Sequence, residues 1–210
     1  MSDGTTAEDL DSWAEMDDAF DRETGPFDVD EVDLDADDVQ RIELGALVAT
    51  PFPGMTMQLQ VDKTSKKVQA ILVGDGSSAL EAAVFAGPSR TSMLPELRQE
   101  IIAATQRAKG KITVVQGPYG AELRRRVPVK DAKGNQAIHV TRTWLVDGPG
   151  WVLRGVVMGK AALEPNDTEA ALALNEFFGN LVVHRGTQPA APGSLIPLTM
   201  PPQAEQTSQS

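Results

Sequence analysis

From Arg41 onward the apolar residues recur at every second position, in stretches of five to ten residues rich in β-branched side chains and broken by Gly, Pro and Asp. That period belongs to strands, whose side chains alternate between two faces. Strands are expected at about 41–49, 55–61, 68–73 and 79–86, then at 111–116, 121–129, 136–146 and 151–158, with a short last one at 181–183. Pro51-Phe52-Pro53-Gly54 cannot lie within a sheet, Asp62 to Lys67 reads as a polar turn, and Gly74-Asp75-Gly76 reads as a tight one. The first four strands are therefore expected to follow one another antiparallel. The period lengthens to that of a helix after Pro95, where Leu97, Ile101, Ala104 and Ala108 share a face before Lys109-Gly110. It does so again from about Asp167 to Phe178, with Asn166 and Glu169 spaced as a cap pair and Gly179 as the stop. Runs of strands without strand–helix alternation specify an α+β fold, a mainly antiparallel sheet with two principal helices packed on it.

Charge divides the chain differently. The net charge is -11, but residues 1–40 hold sixteen Asp/Glu and one Arg, while residues 41–210 hold fourteen acids and eighteen bases, or -15 against +4. Residues 1–40 carry too little apolar surface to offset the entropy of ordering and are expected as an acidic, largely disordered tail. Residues 41–186 are expected as a single α+β domain, and residues 187–210, rich in Pro, Ala, Gln and Ser, as an extended segment fading into disorder. Within the tail, Leu10, Trp13, Met16, Asp17 and Phe20 stand at helical spacing. They are either incidental apolar residues in a solvated acidic tail or a conditional helix that docks through Trp13 and Phe20, on a protein partner or on the chain's own domain.

There is no cysteine, which excludes disulfides and thiolate chemistry. No stretch reaches the roughly 18 apolar residues of a membrane span, and Met1 to Asp11 lacks the basic flank and apolar run of a signal peptide. A cytoplasmic location without membrane association is the expectation.

No constellation of residues specifies a reaction. Gly74-Asp75-Gly76-Ser77-Ser78-Ala79 matches G-x-G-x-x-A, but it lacks the acid that a dinucleotide fold places about 20 residues on, so a hairpin turn is expected. His139 and His184 have no carboxylate at triad or metal-ligand spacing. No cofactor and no metal are expected. The arginines carry more information. A hairpin closing over Gly148-Pro149 pairs Val146 with Trp151 and sets Arg142 on the apolar face, opposite Gly155. A buried guanidinium needs a carboxylate, carbonyls or an anionic ligand, and Glu122 is the nearest carboxylate by topology. Glu122, Arg124 and Arg126 share a strand face. With Lys111, Arg154 and Lys160 these arginines form either a solvated surface or a docking face for the acidic tail or an acidic partner. The modest +4 and the competing tail argue against nucleic acid.

Gly25-Pro26-Phe27-Asp28-Val29, Arg41-Ile42-Glu43-Leu44-Gly45-Ala46-Leu47, Gly117-Pro118-Tyr119-Gly120-Ala121-Glu122-Leu123-Arg124, Trp151-Val152-Leu153-Arg154-Gly155 and Leu195-Ile196-Pro197-Leu198 resemble an actinobacterial family, domain of unknown function DUF3710. The resemblance covers about residues 25 to 202. It implies the domain's extent and a cytoplasmic setting, and it supplies no activity. The order of elements is also similar to the Mog1/PsbP type of αβα sandwich, a fold used mostly for binding. Two functions stay open: a non-enzymatic protein-binding or adaptor module with an acidic docking tail, and a small-anion or metabolite-binding domain, with or without enzyme activity. The second would centre on Arg142, Arg124 and Glu122, with Arg154 and Arg126 near them.

Overall fold

The computed structural model describes residues 5–164 and 168–201. In chain order the first elements are α1 (Ala7–Asp18), β1 (Phe27–Asp28), β2 (Ile42–Glu43), β3 (Leu47–Ala49), β4 (Thr56–Val61), β5 (Val68–Gly74) and β6 (Ser78–Ala86). Then come α2 (Leu94–Arg107), β7 (Lys111–Gly117), β8 (Gly120–Lys130), β9 (Gln136–Gly148) and β10 (Trp151–Gly159). The chain closes with α3 (Lys160–Leu163), α4 (Glu169–Gly179) and β11 (Val182–Val183). Seven strands form one antiparallel sheet in the order β4-β5-β6-β10-β9-β8-β7, and four short ones form a second sheet, β1-β11-β3-β2. The fold is α+β, with mostly antiparallel pairing.

Alternation along β9 and β10 sorts the side chains to two sides of the large sheet. One side carries Trp144, Val146, Leu153 and Val157, packed with Leu174, Phe177 and Phe178 of α4 and with the small sheet. The other carries Leu123, Leu145 and Val152, packed under α2 through Leu94, Leu97, Ile101 and Ile102. Gly155 lies at the heart of the first core, where a Cβ would sit 2.6 Å from Cε2 of Phe178, so α4 packs onto bare backbone there.

Several expectations are corrected. The stretch 41–49 is two strands, because Gly45 at φ +72 turns the chain between them and Leu44 N–H donates to the Leu47 carbonyl. Both strands belong to the small sheet, so they do not precede β4 in one meander. The β9–β10 hairpin is tighter than expected, with Gly148 opposite Trp151, which sets Arg142 opposite Val157 and Trp144 opposite Gly155. A shift of two residues leaves every side chain on its expected face. In α2 the buried stripe is Leu94, Arg98 and Thr105, while Ala104 and Ala108 are exposed. The cap pair expected at Asn166 lies outside the described residues; the helix begins after Thr168.

The terminal segments differ most from expectation. Within residues 5–40, expected as a largely disordered tail with a conditional helix docking through Trp13 and Phe20, several side chains pack against the domain, while 5–9 and 35–40 are exposed. Trp13 and Asp28 are buried, and β1 pairs parallel to β11 through Phe27↔Val182 and Asp28↔Val183. At the other end, Ile196 N–H donates to the Val84 carbonyl and Leu198 N–H to the Val68 carbonyl, both at 2.9 Å. Leu198 is thereby drawn into the core. Both ends complete sheet and core that residues 41–186 leave unfinished.

Candidate functional site

Glu122 on β8 points into the first core from a strand whose next residues on that face are Arg124 and Arg126. Its Oε1 accepts from Arg142 Nε at 2.9 Å and from Arg124 Nε at 2.8 Å, and its Oε2 accepts from Arg142 Nη2 at 2.8 Å and Trp144 Nε1 at 2.7 Å. Arg142 Nη1 also donates to the Ala161 carbonyl at 3.2 Å. Glu122, Arg142 and Trp144 are each no more than 3% exposed. Two charges taken out of water are tolerated here because the carboxylate is fully bonded and the pairing with Arg142 is bidentate. The cavity beside Arg142 and Trp144 holds about 10 Å³, room for about one water molecule. Among the described residues this geometry is a structural hydrogen-bond network, with room for about one water beside Arg142 and Trp144.

The other expected site residues fall elsewhere. Arg126 lies on the same face as Arg124, opposite Val140 and Lys111, and is exposed. Arg154 occupies the opposite face of the sheet, where Nη2 reaches Glu81 Oε1 at 3.3 Å and the guanidinium lies 5.0 Å above the Phe85 ring. The basic surface expected to join Arg154 to Arg124 and Arg126 is therefore split by the sheet itself. Alternation alone separates them, since position 154 has the opposite parity to Trp151, Leu153 and Val157.

The N-terminal helix sits where none of these arginines is. Trp13 is 8% exposed, Phe20 packs edge-on to Tyr119 at 5.4 Å, and Tyr119 in turn contacts Trp144 and Phe178. Asp17 binds the helix to the domain. Its two oxygens accept from Arg98 Nη2 at 2.7 Å each, and Oδ1 accepts from the Ala121 backbone N–H at 3.0 Å. Arg98 is 1% exposed and leaves Nε without a hydrogen bond, so Asp17 is its principal neutralising partner. The same helix turns Glu8, Asp11, Glu15 and Asp18 outward, all exposed, on the side opposite Trp13 and Asp17.

A second acid of the N-terminal segment is also structural. Asp28 Oδ2 accepts from Trp151 Nε1 at 2.6 Å, and Arg22, paired with Glu31, lies 5.6 Å over the Trp151 ring. Arg98 and Asp28 are absent from the expected site residues, and Asp17 was placed on the helix without its partner. Arg98 stands in the buried stripe of α2, and Asp17 falls on the Trp13 face of α1; a charge on each of two apolar stripes was the available signal for a pair. The G-x-G-x-x-A stretch is the β5–β6 turn, where Asp75 Oδ1 accepts from the backbone N–H groups of Ser77 and Ser78 at 2.8 Å each. These bonds hold the Asp75 carboxyl below the usual carboxylate range. No helix among the described residues is long and apolar enough to cross a membrane.

No curated protein matches the sequence. A crystal structure of a Bacteroides thetaiotaomicron VPI-5482 protein is similar at 9% identity and a TM-score of 0.40, over 69% of this chain and 47% of that one. The chain thus spans about half the length of that relative, at 47%. The solution structure of cyanobacterial PsbP (CyanoP) from Synechocystis sp. PCC 6803 is similar at 11% identity and a TM-score of 0.38, over 69% of this chain and 92% of that one. The model of the family described as protein of unknown function DUF3710 matches residues 25–207, spanning β1, both sheets and the C-terminal strand-like segment, and the chain belongs to that family.

Proposed function

We propose that the chain is a non-enzymatic, cytoplasmic protein-binding or adaptor module whose acidic N-terminal segment presents its charge to a basic partner. One observation carries the reading: α1 is seated by Trp13 and Asp17 and turns Glu8, Asp11, Glu15 and Asp18 to solvent as one stripe. A charged stripe on a helix already docked loses less conformational entropy on binding than a free tail does. Charge contacts of this kind steer association and set partner choice. The hydrogen-bond network around Glu122 supports this reading over metabolite binding at Arg142.

The test is affinity purification from cytosol with the wild-type chain and with a Glu8→Gln, Asp11→Asn, Glu15→Gln variant. A basic partner held by the wild type should be lost from the variant. It should also be lost as salt shortens the screening length from about 8 Å toward about 3 Å. Equal retention by both proteins at every salt concentration contradicts the proposal.

A further inference from the structure

The large sheet ends at β4, and among the described residues Thr56–Gln60 makes backbone hydrogen bonds only toward β5. Alternate N–H and C=O groups on the other side of an edge strand are open to pairing, and proteins usually guard such edges with charge, proline or a bulge. Thr56-Met57-Gln58-Leu59-Gln60 has neither charge nor proline. Pro53 precedes it, and the register shift between Gln60 and Val61 follows it, so the open length is five residues. The opposite edge is different: β7 begins with Lys111 and lies against α1 and α2.

We propose that β4 is a self-association surface, on which a second copy of this chain lays its own β4 antiparallel across a two-fold axis at Gln58. The residue pattern fits that occupant. Antiparallel pairing about Gln58 sets Met57 against Leu59 of the second copy and Thr56 against Gln60, with Gln58 meeting its own equivalent. Apolar side chains then meet on the core face, and amides and hydroxyls meet on the exposed face. Charge favours the same choice. Two copies that each carry -11 repel, and an uncharged edge is where they approach with least cost. A cavity of about 280 Å³ lined by Ile42, Phe52, Met55, Met57 and Phe177 lies beside the strand and extends the apolar area past the five paired residues. The contact remains small beside the roughly 1,200 Å² of a stable interface, so association depends on concentration.

Sedimentation of the full chain, from about 1 μM to about 1 mM, reads this directly. The mass should climb from 22.5 kDa toward twice that value. Gln58 is exposed, so Gln58→Lys and Gln58→Glu preserve the fold, which circular dichroism checks. Each variant alone should lose the rise in mass, because like charges then face each other across the axis. An equimolar mixture of the two should regain it. A wild type that stays at 22.5 kDa throughout, variants that associate as the wild type does, or a mixture that stays monomeric would each overturn the proposal.

Discussion

Glu122 accepts hydrogen bonds from Arg142, Trp144 and Arg124, so removing its charge weakens the bonds of three donor residues at once. Glu122→Gln takes the bidentate carboxylate away from the buried Arg142 guanidinium, which should cost about 3–5 kcal/mol in urea denaturation. Replacing both partners, Glu122→Leu with Arg142→Leu, should recover part of that loss, because no buried charge of the pair is then left alone. A double variant as unstable as the sum of the singles would contradict the pairing. Tyr119 gives a second test at this scale, and it is the only tyrosine in the chain. Burial pushes its phenol well above the ordinary value of 10.0. A folded value raised above the unfolded one adds stability below the unfolded value, and that stability is lost as pH rises through the folded value. Tyrosinate absorbance should therefore lag a free tyrosine in alkaline titration and emerge together with unfolding. Ionisation near 10 in a still-folded protein would contradict the burial.

At the scale of elements, legibility followed periodicity. The long strands and α2 were readable because their apolar residues repeat over many positions, and the two-residue error in the β9–β10 register changed no face. β11 was legible as a short strand at 181–183 and β2 as part of 41–49, but two-residue strands such as β1, β2 and β11 carry no period that tells which segments they pair with. Composition misled at the N-terminus. An acidic segment with few apolar residues reads as disordered, yet a handful of its side chains, Trp13, Asp17, Phe27 and Asp28, find dedicated partners in the domain. Two of those are acids whose charge or acceptor completes a buried donor, a contribution that hydrophobicity counts omit. The Glu122–Arg142 pair was legible from parity along two strands. The separation of Arg154 from it follows from the same parity.

For the whole molecule, the acidic segment and the C-terminal strand-like segment close a fold that neither sheet completes alone. The stripe Glu8, Asp11, Glu15 and Asp18 is held outward by contacts on the inner face of the same helix. That outward stripe exists only while the helix is seated. Amide hydrogen exchange of residues 7–18 in the full chain measures the seating, with an Asp17→Ala variant alongside. The seated helix predicts protection well above that of an unfolded peptide in the wild type, and a loss of that protection in the variant, since Arg98 then lies buried without its carboxylate. Exchange at the unfolded rate in the wild-type chain would contradict the account.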